Sequence, residues 1–238
     1  MRKSIVGAIF ARGGSKSVPR KNLQLLAGKP LIAYSIEVAK KVKQIERVIV
    51  STDDEEIARV ALDNGAEVPF MRPVQLAGDE APEWLAWQHA IRTIRDMSGP
   101  NSMDIMISVP TTSPLRSVED VEACVTVLLE SDADVVITVT PTSRSPYFNM
   151  VTLRDGYAGL VIPPAKIISR RQDAPVIFDM TTVAYAVRAD FVLKANQIFD
   201  GRVKVVEVPP ERAIDIDTDL DLRTAGFLLA QRAGCSEK

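Results

Sequence analysis

The strongest constraint on this chain is a repeated alternation. Short apolar runs end in polar turns and are separated by segments of helical period. Residues 4–11 (SIVGAIFA) stop at RGGSKS, the pattern of a strand buried on both faces that feeds a loop. Residues 29–42 then space Leu31, Ile32, Ile36, Val38 and Ala39 at helical intervals, with Pro30 near the start, where a missing N–H costs little. A second strand is expected over 47–52 (RVIVST), followed by a helix capped by Asp53 or Asp54 and ended by Asn64-Gly65. A short third strand is expected over 67–71 (EVPFM) and a helix from 83 to 97. The run 104–110 (DIMISVP) ends in TTSPLR, and Ser117 with Asp120 predicts a capping box opening a helix to about residue 131. A β-branched strand follows over 134–140 (DVVITVT).

Such alternation joins parallel strands through right-handed crossovers and sets the binding crevice at their carboxyl ends. The expected fold class is therefore α/β, a doubly wound three-layer sandwich with a mostly parallel sheet, forming a single domain over 1–238. Residues 141–180 interrupt the rhythm with Pro141, Pro146, Pro163, Pro164 and Pro175 and no sustained helical period, so they are read as an inserted excursion. Strands return at 181–187 and 203–208, and the last helix is expected over 219–232.

Composition narrows the function. With 29 basic and 31 acidic side chains nearly in balance, the chain has no global field for nucleic acid or a membrane, so an anionic ligand must be caught locally. Cys124 and Cys235 match no paired metal spacing, and the single His89 supplies neither a histidine cluster nor a triad signature. No apolar run reaches the roughly 18 to 20 residues of a membrane span, so a cytoplasmic protein without membrane insertion is expected.

Two segments concentrate chemistry. Between Ala11 and Leu23 the chain reads RGGSKSVPRKN, with Arg12, Lys16, Arg20 and Lys21 beside Gly13, Gly14 and Ser15. Exposed backbone N–H groups, arginine forks and lysine charges together suit a triphosphate. The spacing is neither that of a P-loop nor that of the dinucleotide fingerprint. A plainly solvated loop has the same composition, but a loop after the first strand of an α/β sheet is where ligands bind. Near the C-terminus AIDIDTDLDL alternates Ile214, Asp215, Ile216 and Asp217 as an extended strand would, pointing both carboxylates one way. A hard cation such as Mg2+ uses one or two carboxylates and completes its shell with phosphate oxygens and water; surface charge is the alternative reading. Asp219 and Asp221 suit the start of the last helix. Trp84, Trp87 and His89 share a helix and are read as packing residues, and Cys124 as a small core residue.

AIFARGGSKSVPRKN resembles the nucleotide-binding signature of the acylneuraminate cytidylyltransferase family, and RPVQLAGD, PTTSPLRS and IDIDTDLDL are similar to further blocks in the same order. The resemblance implies a nucleotide-diphospho-sugar transferase type of fold and transfer of CMP from CTP to an acidic sugar. It implies nucleotide contacts from Ala11, Arg12, Gly13, Ser15, Lys16, Lys21, Asn22, Arg72 and Ala81. It also implies a catalytic set of Arg12, Lys16, Lys21 and Asp217, Mg2+ on Asp215 and Asp217, and a homodimer formed through the excursion. Three positions depart from the family pattern. Pro110 replaces a glutamine, Glu83 a serine near the base, and Asp179 an arginine expected to hold the sugar carboxylate. Lys166, Arg170 or Arg171 is expected to take over that last role. Sialic acid, related nine-carbon acids and an eight-carbon octulosonic acid all remain open as acceptor. So do a sugar-phosphate acceptor and a nucleotide binder without turnover.

Overall fold

The computed structural model describes residues 3–15, 18–164, 166, 168 and 170–235. Its centre is a six-stranded sheet in the order β10-β6-β9-β5-β1-β4. These strands are β1 (Ile5–Phe10), β4 (Arg47–Ser51), β5 (Ile105–Ser108), β6 (Val135–Pro141), β9 (Phe178–Arg188) and β10 (Val203–Glu207). β1 pairs parallel with β4 and β5, and β10 pairs parallel with β6, whereas β9 runs antiparallel between β5 and β6. The sheet is thus mostly parallel, as expected. Strand β1 shows why it is central: Ile5 and Ile9 join one core and Val6 and Ala8 the other, so both faces are covered.

Helices α1 (Leu31–Lys41), α2 (Glu55–Asp63) and α4 (Val118–Leu129) cover one face through Ile32, Ile36, Ile57, Ala61, Val121 and Leu128. Helices α3 (Glu83–Ser98) and α5 (Ala189–Lys194) cover the other through Trp84, Trp87, Ile91 and Val192. Trp84 donates to Ala195 O at 2.8 Å and Cys124 is fully buried, so both are packing residues, as the sequence suggests. Helix α6 (Asp219–Cys235) packs Ala225 against Leu26, Leu31 and Ile216, beside the two-stranded turn of β2 (Leu25–Leu26) and β3 (Lys29–Pro30). Asp54 caps α2 and Ser117 with Asp120 forms the capping box of α4.

Three expectations need correction. Residues 67–71 make only isolated bridges, Ile49 to Glu67 and Thr52 to Met71. Pro69 between them has no N–H to give a ladder. The segment around Asp215 is not paired as a strand; its one backbone–backbone bond among the described residues, Ile216 N to Thr112 O at 2.8 Å, ties it to the turn after β5. The strand expected from residue 181 starts earlier, β9 beginning at Phe178, and inside the excursion β7 (Val151–Arg154) and β8 (Tyr157–Leu160) form a hairpin. Asp155 and Gly156, at φ 51° and 83°, make the two-residue turn that a tight hairpin requires.

Candidate active site

The loop after β1 is shaped by hydrogen bonds to its own surroundings. Ala11 N donates to Ser51 O at 3.1 Å, which keeps the loop on the end of β4. Gly13 N donates to Asp53 Oδ1 at 2.9 Å, and a Cβ on Gly13 would lie 2.8 Å from Asp54 Oδ2, so a side chain there would collide. Asn22, buried, donates to Arg12 O at 2.8 Å and accepts from Thr111 Oγ1, tying the loop's two ends to the turn after β5. Arg12 is half-buried, 2.9 Å from Asp79 Oδ1. Lys16 lies outside the described residues.

The second wall is the extended segment before α6. Lys21, almost buried, donates to Ile216 O at 2.7 Å and to Asp217 Oδ1 at 2.9 Å, so it bridges the basic loop to the acidic segment across some 195 residues of sequence. Ile216 is fully buried, while Asp215 and Asp217 both line the cleft. The alternation seen in the sequence therefore survives without a ladder, because Ile216 anchors it in the core. Asp221 accepts from Asp217 N and Thr218 N at 3.1 and 2.7 Å, closing the turn into α6. Asp215 Oδ1 is buried and has no hydrogen-bond partner. Burial pushes the Asp215 carboxyl above its ordinary value, with the charge of Asp217 adding, against hydrogen bonds from Thr112 and Thr182 and the charge of Lys21.

Together these walls enclose two adjoining lobes. One of about 480 Å³ is lined by Ser15, Lys21 and Asn22, and one of about 380 Å³ by Arg72, Ala81, Glu83, Tyr185 and Asp215. Phe10, Arg12, Asp79, Thr111, Thr112 and Asp217 face both. The structure thus gathers Arg12, Ser15, Lys21, Asn22, Arg72, Ala81, Asp215 and Asp217 into one cleft at the carboxyl ends of β1 and β5. Ala11 and Gly13 contribute backbone position rather than lining. A cavity of about 620 Å³ at the other end of the sheet has its arginine already committed, Arg188 donating to Ala133 O, Leu128 O and Ser131 O.

Some residues are not where the sequence suggests. Asp179 is exposed on β9, paired with Thr140, and does not line the cleft. Arg170 is paired with Asp173 at 3.0 Å and Lys166 is exposed, and neither lines either lobe; the side chain of Arg171 lies outside the described residues. Thr112, Thr182, Tyr185 and Asp79 line the cleft without having been singled out. Thr112 sits inside the PTTSPLRS block and Asp79 closes RPVQLAGD, which was the available signal. Thr182 and Tyr185 lie in an ordinary β-rich run and gave none.

A catalytic metal's residues can be tested against this geometry. A buried carboxylate oxygen without a partner, next to a second carboxylate at the cleft, is the donor set a magnesium ion shared with phosphate oxygens would use. The pair fits.

An α/β sandwich with a basic loop facing a carboxylate pair defines a nucleotidyltransferase type of fold and cleft. Solved structures agree on the fold. A CMP:2-keto-3-deoxy-manno-octonic acid synthetase complexed with CTP superposes with a TM-score of 0.73 at 20% identity, covering 97% of this chain and 100% of that one. A 4-diphosphocytidyl-2C-methyl-D-erythritol synthase from Anaerococcus prevotii gives 0.68 at 16% identity, covering 96% of each. Residues 6–225 match the family described as cytidylyltransferase, and the chain belongs to that family. It is 32% identical to a post-translational flagellin modification protein B of Campylobacter coli over 96% of both chains. It is also 32% identical to a CMP-N,N'-diacetyllegionaminic acid synthase of Campylobacter jejuni, over 95% of both, and 31% identical to a pseudaminic acid cytidylyltransferase of the same species, over 92% and 94%.

Proposed function

We propose that this protein transfers CMP from CTP to the anomeric hydroxyl of a nine-carbon sugar acid of the legionaminic, pseudaminic or sialic type, releasing pyrophosphate. The observation that carries the reading is the cleft itself, in which the basic loop and the Asp215–Asp217 pair face one another through Arg12, Lys21 and Thr112. The names of relatives matching over nearly the whole chain support the acceptor class.

In this reading the triphosphate lies on the lobe of Ser15, Lys21 and Asn22. Arg12 and Lys21, with Lys16 from the same loop, offset charge on the phosphate oxygens as the acceptor oxygen bonds to the α-phosphorus and pyrophosphate departs. The Asn22 side chain, donating to Arg12 O, and the bond from Ala11 N to Ser51 O fix the backbone around Arg12, so little reorganisation of that cation accompanies the reaction. Thr112 and Thr182, linked Oγ1 to Oγ1 at 3.0 Å, and Asp215 form the wall for the acceptor. Asp215 and Asp217 would hold Mg2+, which when bound supplies positive charge to the phosphates and acidifies a coordinated hydroxyl. Lys21 Nζ lies 2.9 Å from Asp217 Oδ1 and steers its carboxylate.

A homodimer is part of the proposal. The β7–β8 hairpin leaves Leu153 76% and Tyr157 80% exposed, an apolar surface that a second copy would cover. No helix among the described residues is long and apolar enough to cross a membrane, and the work is proposed to be cytoplasmic.

The test is pyrophosphate release from each of the four nucleoside triphosphates with a panel of eight- and nine-carbon sugar acids and a sugar phosphate, with and without a chelator. Chelator-sensitive release with CTP and a nine-carbon acid is the expected result. Silence with every acid while CTP binds, or turnover only with a sugar phosphate, overturns the assignment.

A further inference from the structure

Strand β9 crosses the sheet with a break in its register, and the break lies under the cleft. Ile137 of β6 pairs with Tyr185 and the next residue, Thr138, with Thr181, so Thr182, Val183 and Ala184 have no partner on β6. On the other edge, β5 ends its pairing with β9 at Ser108 and Tyr185. Bulges next to active sites serve to re-aim a side chain. Here a fully buried hydroxyl closes the gap. Thr138 Oγ1 accepts from Ala184 N at 3.2 Å and from Thr181 Oγ1 at 2.7 Å, and it donates toward Ala184 O at 3.2 Å and Thr181 O at 3.4 Å. Its proton and both lone pairs are thus engaged. Valine has the same shape and suits a buried strand as well, so packing alone does not call for the hydroxyl. Thr138 lines neither lobe of the cleft.

The bulge delivers Thr182 to the lobe that holds Asp215. Thr182 Oγ1 accepts from Thr112 Oγ1 at 3.0 Å and lies 2.7 Å from Ser113 Oγ, and Thr182 O accepts from the buried Arg116 at 3.2 Å. The Thr182 hydroxyl is also hydrogen-bonded to the Asp215 carboxyl. With its proton on Asp215, Thr112 and Ser113 fill its two lone pairs, which leaves the hydroxyl one orientation. Resting on the reading of Asp215 and Asp217 as the residues that hold the divalent ion, we propose that Thr138 and Thr182 are positioning residues for the transfer reaction. The Thr138 hydroxyl staples the β9 bulge, the bulge aims Thr182 at Asp215, and Thr182 fixes the orientation of that carboxylate. Such partners of a metal-holding side chain govern both metal affinity and turnover.

The experiment compares the native full chain with Thr182→Val, Thr138→Val, Thr138→Ser and the double valine variant in two readouts. One is Mn2+ titrated in with CTP and followed by the EPR signal of the free ion, with CTP alone as the blank. The other is pyrophosphate release with CTP and the nine-carbon acid that turns over, giving kcat and the KM for CTP. Thr182→Val is expected to weaken Mn2+ binding and lower kcat by about 10- to 100-fold, with the KM for CTP little changed. Thr138→Val should lose in the same direction, and Thr138→Ser, which keeps the hydroxyl, should stay near native. The double variant should be no worse than Thr182→Val alone, because one residue acts through the other. A Thr138 that merely supports the fold would lower the urea midpoint and leave Mn2+ binding in place, or add its loss to that of Thr182. Either result overturns the proposal, as does native Mn2+ binding in Thr182→Val. Should Thr138→Val not fold, Thr138→Cys, whose thiol is a weak donor and acceptor, takes its place. Native protein that binds no Mn2+ beyond the blank overturns the reading of the carboxylate pair, and this proposal with it.

Discussion

The central strand β6 and the hairpin strand β7 are both rich in β-branched residues, yet they end in opposite surroundings. In β6, Val135, Val136 and Ile137 are buried, whereas in β7 Val151 and Leu153 are 57% and 76% exposed. The difference lies in what each strand has beside it. β6 is flanked by β9 and β10 and covered by α4, but the hairpin pairs only with itself. A two-stranded hairpin is marginal alone, and its exposed apolar side chains are the surface that the proposed second copy would cover. The sheet, by contrast, is self-sufficient and can devote the carboxyl ends of its strands to polar groups. Function at the cleft and association at the hairpin are therefore expected to fail separately.

The largest effect should come from Asp215→Asn. It removes a carboxylate charge where phosphate charge moves, so turnover should fall about 1000-fold, the ~4 kcal/mol scale of lost electrostatic stabilisation. Circular dichroism should be unchanged, and full activity in this variant would end the carboxylate-pair reading. Next is Arg116→Ala. Arg116 is buried under the cleft and donates to Ser35 Oγ at 2.7 Å, to Pro110 O and to Thr182 O. Its loss leaves buried acceptors unmet and should cost about 3 kcal/mol in urea unfolding. A loss under about 0.5 kcal/mol, the level of ordinary surface changes, would show the cleft floor is not built on it. Smaller again is the hairpin pair Leu153→Ser with Tyr157→Ser. Sedimentation should show association weakened toward monomer by about 2 kcal/mol of lost apolar burial. Unfolding of the monomer should barely change, and a dimer of unaltered strength would move the interface elsewhere.

The sequence displays this division unevenly. Strand–helix alternation exposes the parallel half because burial on both faces leaves continuous apolar runs such as residues 4–11. The basic loop and the Asp215–Asp217 alternation are legible for the same local reason: composition and period concentrate within ten residues. What stayed hidden depends on distance. Thr182 reaches the cleft only because β9 inserts antiparallel between β5 and β6, a long-range pairing no local period announces. Asp179 and Arg170 were expected at the acceptor site from their place in the order of blocks, but the one faces outward and the other is held by Asp173. The hairpin turn Asp155-Gly156 is a local signal in the sequence, set among the prolines that interrupt the strand–helix rhythm.

The smallest effect tests how firmly the sheet sets the loop. Asp54 accepts from Glu56 N and Ile57 N, both at 3.0 Å, and from Arg20 at 2.7 Å, so one carboxylate caps α2 and holds the far side of the basic loop. Asp54→Ala should cost about 1 kcal/mol, the usual value of a helix cap. Burial pushes this carboxyl up, but the amide of Ile57, Arg20 and the amide of Glu56 outweigh it and hold it below its ordinary 3.8. A carboxyl depressed by folding stabilises the fold above its unfolded value, and that contribution drains away as the pH falls through the lower folded value. The urea midpoints of the native protein and Asp54→Ala should therefore stay a fixed distance apart from about pH 7 to 5 and converge below about pH 4. A gap that does not narrow at all as the pH falls below about 4 would mean that the side chain's shape, not its charge, supports the loop, and the loop would then owe its position to Asp53 and Asn22.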